Sequence, residues 1–93
     1  LLGGDRIFLY FGASWCGPCK QMKATTLADP GVKNQLSKFI VWTVDIDQDR
    51  ALSQRFHVSG VPCYMVIDGL ETVEKQATGY RDSAAFLGWL NSK

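Results

Sequence analysis

The 93 residues carry ten basic and nine acidic side chains, a formal charge of +1, and 46% of them are hydrophobic, the make-up of one small soluble domain. The charges are interspersed, so there is no basic patch of the kind nucleic acid or an anionic membrane requires, and no apolar run approaches the ~20 residues that span a bilayer. Three cysteines, an odd number, do not make a stapled secreted scaffold.

The chain opens LLGGDRIFLY, with no methionine and no basic-then-apolar leader. It is read as a single domain over residues 1–93, excised or processed from a longer chain. Ile7–Gly12 is apolar at nearly every position, which predicts a central strand buried on both faces. Cys16 to about Ala28 predicts a helix, with Pro18 in the first turn, where a missing N–H costs nothing. Asp29 is an N-cap and Pro30 a first helical residue for a short helix through Val32 and Leu36. Phe39–Asp45 is a second strand, in which Phe39 and Trp42 alternate poorly, so that one of them is expected in solvent. Asp47 or Asp49 caps a helix carrying Leu52 and Phe56.

Cys63–Ile67 is a third strand, and the Asp68–Leu70 turn returns it antiparallel to a fourth from about Thr72 to Thr78. Asp82 or Ser83 caps a last helix with Phe86, Trp89 and Leu90 on one face. A crossover helix makes the first two strands parallel. The fold class is therefore α/β: a three-layer sandwich, with a mixed sheet of about four strands and helices on both faces.

Cys16 and Cys19, with Gly17 and Pro18 between them, carry the candidate chemistry. Where a buried strand turns into a helix, Cys16 meets the free N–H groups and the positive dipole end of the first turn. Both favour thiolate over thiol, and thiolate is the nucleophile of disulfide exchange. Cys19, one turn along and further inside, can reach Cys16 and displace a substrate held there as a mixed disulfide. No metal is expected: a closed zinc site needs four ligands, and only Cys63 and His57 stand beyond the pair. His57, at a helix end, is expected in solvent rather than as a base for cysteine. Asp45, Asp47 and Asp49 lack the glycine and distal glutamate of a calcium loop, so capping explains them better. Lys20, Lys23 and Arg81 are expected to be solvated.

The pentapeptide WCGPC, Trp15–Cys19, resembles the active site of thioredoxins. The resemblance continues through VDIDQD (Val44–Asp49), FHVSGVP (Phe56–Pro62), the Asp68–Gly69 turn, Gly79 and the last helix. The segment TTLADPGVKNQL is similar to the T-x-x-x-P-x-V segment of bacterial thiol:disulfide interchange proteins, including the C-terminal domain of the transmembrane disulfide reductase. The resemblance implies a thioredoxin fold and a thiol–disulfide oxidoreductase, reductase or isomerase, working through a Cys16–Cys19 couple with no other cofactor. It implies that Pro62 is a cis-proline turning the Val61 backbone toward Cys16 to receive an extended substrate. Gly79 keeps the groove open, Trp15 walls it, and Gly17 and Pro18 belong to the same surface. The implied partners are protein disulfides and an upstream reductase, either a membrane thiol reductase or a flavin reductase. A monomer is expected, periplasmic or otherwise exported, with the cytoplasm as the alternative. A second reading makes the domain a non-enzymatic binding or folding-helper module that uses the groove alone.

The match fails at four positions. Tyr10 stands where the family carries a buried carboxylate, Thr43 where a lysine often accompanies it, and Gly12 where a second tryptophan is common. Tyrosine, with a reference pKa of about 10, is a poor proton acceptor at neutral pH, so Cys19 is expected to lose its proton to water or to the departing thiolate. Cys63 follows Pro62 where a threonine is common. It is expected to be a small buried hydrophobe, with a third reactive thiol as the sharper alternative.

Overall fold

The computed structural model describes residues 6–92; Leu1–Asp5, on which the reading of an excised chain start rests, and Lys93 lie outside the described residues. Strand β1, Arg6–Gly12, is buried from Ile7 onward on both faces, as its unbroken apolar run dictates. It lies inside a four-stranded sheet of order β2-β1-β3-β4, with β2 at Ile40–Asp45, β3 at Cys63–Asp68 and β4 at Val73–Thr78. β1 and β2 are parallel, pairing Tyr10 with Thr43 and Gly12 with Asp45; β3 runs antiparallel to both β1 and β4. The Asp68 carboxylate makes the hairpin turn by accepting the N–H groups of Leu70 and Thr72, each at 2.9 Å.

Strand alternation sorts the core into two layers. Phe8, Tyr10, Tyr64 and Val66 pack with Met22 of α1 (Gly17–Ala24), Val32 and Leu36 of α2 (Pro30–Leu36), and Phe86 and Leu90 of α4 (Ser83–Leu90). Ile7, Leu9, Phe11, Cys63, Met65 and Ile67 face the other way, toward Phe56 and Leu52 at α3 (Arg50–Arg55). Helices thus cover both faces, three on one side and one on the other. Trp42 is 46% exposed on the edge strand β2, whereas Phe39 packs against the core. The aspartates cap as their spacing predicts: Asp29 receives Gly31 and Val32 N–H, Asp49 receives Leu52 N–H, and Asp82 receives Ala85 N–H.

Helix α1 ends at Ala24, short of the Ala28 expected from sequence. The β-branched Thr25 and Thr26 are poor helix formers whose hydroxyls find carbonyls instead. Thr25 donates to Gln21 at 2.7 Å, and the fully buried Thr26 donates to the Arg81 carbonyl, tying the end of α1 to the approach of α4. This gives the T-x-x-x-P-x-V segment a structural meaning. Thr26 ties the loop, Asp29 and Pro30 start α2, and Val32 is fully buried beneath it.

Candidate active site

Cys16 is the N-cap of α1, its backbone still extended (φ −91°, ψ 108°) as β1 gives way to the helix. The Cys19 N–H donates to the Cys16 sulfur over 3.1 Å, so one free donor of the first turn is spent on that atom. The two cysteines form a disulfide, with Cα atoms 5.2 Å apart. They are 4% and 2% exposed, so Cys16 and Cys19 are almost equally covered. Ala13 completes their cluster, and Ile46 and Val61 pack against it.

Around the pair, Trp15 is 65% exposed, and its indole N–H donates to the Asp47 carboxylate at 2.8 Å. Gly17 and Pro18 are exposed at the head of α1. The Val61–Pro62 peptide is cis, Pro62 is buried and Val61 half-buried. Gly79 has φ +97°, a conformation that side-chain-bearing residues rarely adopt, and its N–H donates to the Pro62 carbonyl at 2.8 Å. A Cβ added there would meet nothing within 4 Å, so that side of the loop is open.

Sequence reasoning missed the scaffold behind this loop. The Tyr64 hydroxyl donates to the Gly79 carbonyl at 2.9 Å and accepts from the Arg81 guanidinium at 2.8 Å. Arg81, expected in solvent, is half-buried with its guanidinium over the Tyr64 ring at 5.9 Å. The acidic run has divided labour. Asp49 caps α3, Asp47 holds Trp15, and Asp45 accepts the Asp47 N–H at 2.8 Å. Alternation of acidic and apolar residues after a strand was the available signal for Asp47, but it did not name Trp15 as the partner.

Tyr10 is 2% exposed, stacked on Tyr64, and its hydroxyl donates to the Cys19 carbonyl at 3.3 Å. Burial, then the neighbouring Tyr64, pushes its pKa up to about 12. Thr43, its partner across the ladder, is exposed. Cys63 is fully buried in the α3-side layer with Phe11 and Met65, outside the Cys16–Cys19 cluster. Burial pushes its thiol up, offset in part by hydrogen bonds with Thr78 and Gln76. His57 is exposed, with φ 56° closing α3. Among the described residues, no three His, Cys, Asp or Glu side chains gather as a metal site.

A disulfide spanning the first turn of a helix, beside a proline loop on a β2-β1-β3-β4 sheet, defines the dithiol–disulfide site of a thioredoxin-fold protein. A family model described as thioredoxin-like matches residues 3–69, and the chain belongs to that family. It is 31% identical over 86 residues to the thiol:disulfide interchange protein DsbD of Haemophilus influenzae, covering 86% of this chain and 15% of that protein. Against DsbD of Klebsiella pneumoniae the identity is 33% over 93 residues, covering 94% and 16%. The chain thus spans about one sixth of the length of these curated relatives. A thioredoxin from Thermus thermophilus matches with a TM-score of 0.78 and 30% identity over 90% of this chain and 69% of its own. A DsbH oxidoreductase shares the fold, with a TM-score of 0.82 at 20% identity over 92% of this chain and 69% of that one. Family, fold and cysteine pair thus agree on a thioredoxin-like domain that carries a Cys16–Cys19 disulfide at the head of α1.

Proposed function

We propose that the domain reduces disulfides in protein substrates. The Cys16 thiolate attacks a substrate disulfide, one substrate sulfur leaves, and a mixed disulfide forms. Cys19 then attacks the Cys16 sulfur, the second substrate sulfur leaves as thiolate, and the Cys16–Cys19 disulfide closes. The observation that carries this reading is the Cys19 N–H aimed at the Cys16 sulfur at the start of α1, a bond that becomes charge-assisted and stabilises the anion once Cys16 is a thiolate.

The packing of Val61 against the cysteine cluster supports docking of an extended substrate along the Val61–Pro62 backbone, with Trp15, Gly17, Pro18 and Gly79 bordering it. Recharging needs a dithiol donor, for which a membrane thiol reductase in an exported, periplasmic setting is the preferred source. The T-x-x-x-P-x-V segment and the similarity to DsbD support that choice over a flavin reductase. The test is insulin reduction driven by dithiothreitol. Turnover by wild type and none by Cys16→Ser is the expected result; equal rates would return the domain to a binding role.

A further inference from the structure

Behind Cys19 lies a cleft of about 400 Å³, room for several waters at ~30 Å³ each. Its walls include Tyr10 and Gly12 of β1, Cys19, Lys20 and Lys23 of α1, and Asp45 at the end of β2; Val61 and Pro62 are not among them. Gly12 and Asp45 are partners in the parallel ladder, so they present the same sheet face. On that face a Cβ at Gly12 would stand 3.7 Å from the Cys19 sulfur. The missing side chain therefore leaves the space between that sulfur and the Asp45 side open. Asp45 is the one carboxylate among the cleft's described walls, half-buried and oriented by the Asp47 N–H at 2.8 Å. Tyr10, the other oxygen acid beside Cys19, spends its proton on the Cys19 carbonyl.

We propose that Asp45 accepts the Cys19 proton, through water in this cleft, in the step that resolves the mixed disulfide. This rests on the reading of Cys16 and Cys19 as a reducing couple. The Cys19 S–H bond breaks, and its proton passes through water to the Asp45 carboxylate. The Cys19 thiolate forms a bond to the Cys16 sulfur, and the bond from Cys16 to the substrate sulfur breaks. The electron pair leaves with the substrate thiolate, the protein dithiol is oxidised, and Asp45 returns the proton to solvent. Lys20 and Lys23 line the same cleft, and their charge favours the thiolate as it forms. Ser14, Thr43 and Gln48, uncharged, complete the polar lining.

The reduced protein mixed with excess 5,5′-dithiobis(2-nitrobenzoate) separates the steps. A first release of thionitrobenzoate, dependent on reagent concentration, reports attack by Cys16. A second, independent of it, reports closure by Cys19. Asp45→Asn keeps an oxygen for the Asp47 N–H. It is expected to leave the first phase unchanged and to slow the second on the order of 10-fold at neutral pH, with its pH profile moved upward. Asp45→Glu is expected to restore both. A second phase unchanged in Asp45→Asn from about pH 5.5 to 9, or both phases slowed equally, overturns the proposal. A wild type that attacks but never closes overturns the reducing couple itself, which separates that failure from this one.

Discussion

The backbone N–H of Cys19 points at the sulfur of Cys16 across 3.1 Å. In the proposed reduction, Cys19 thus supports the attacking Cys16 through its main chain before its own side chain acts. That reading gives the two cysteines separable roles. Cys19→Ser keeps that N–H, so it is expected to accumulate a stable mixed disulfide on Cys16, visible as a mass adduct with a disulfide-bonded peptide. Cys16→Ser is expected to yield no adduct on Cys19, and comparable adducts in both variants would reverse the assignment.

Tyr10 ties the same residue from below. Tyr10→Phe removes the hydroxyl that donates to the Cys19 carbonyl and is expected to lower stability by about 1 kcal/mol in urea denaturation. The wild type also carries an alkaline liability. The folded-state pKa of Tyr10 lies near 12, above its unfolded value near 10, so the fold favours the protonated form. That contribution is complete below the unfolded pKa and is lost as pH rises through the folded one, about 3 kcal/mol in all. Tyr64 and Cys63, also pushed up by burial, act in the same direction. The urea midpoint is therefore expected to fall from about pH 10 upward, less steeply in Tyr10→Phe. A midpoint flat to pH 12 would show that Tyr10 ionises freely.

Gly79 links the proline loop to the Tyr64–Arg81 pair, and its φ of +97° sets the cost of replacing it. A Cβ there has space, so Gly79→Ala is expected to cost about 1 kcal/mol or more through backbone strain alone. If the loop relaxes to relieve that strain, KM for a protein disulfide should rise more than kcat falls. Calorimetry and insulin kinetics on the same preparation check both; an unchanged melting temperature would show that the backbone adapts.

Local chemistry made the architecture readable from sequence. An unbroken apolar run marked β1, aspartate–proline marked α2, and aspartate–glycine marked the hairpin, each a short-range signal with a direct structural cause. The end of α1 was misjudged because the partner that draws Thr26 out of the helix, the Arg81 carbonyl, is 55 residues away. The cysteine pair announced itself by spacing, but Asp47 on Trp15 and Arg81 on Tyr64 are long-range pairings made by the fold. Side chains that look like surface charge in one dimension became supports of the site in three. Tyr10 stood out as a departure from a family pattern, yet its bond to a backbone carbonyl had no mark in the sequence.

The bare backbone at Gly12 has a further consequence. A folded protein clamped over Trp15 and Val61 would shut bulk solvent away from the sulfurs on that side, while the opening past Gly12 stays free. Cargo and protons would then use different doors, and a tight grip on a large client need not slow the chemistry that frees it.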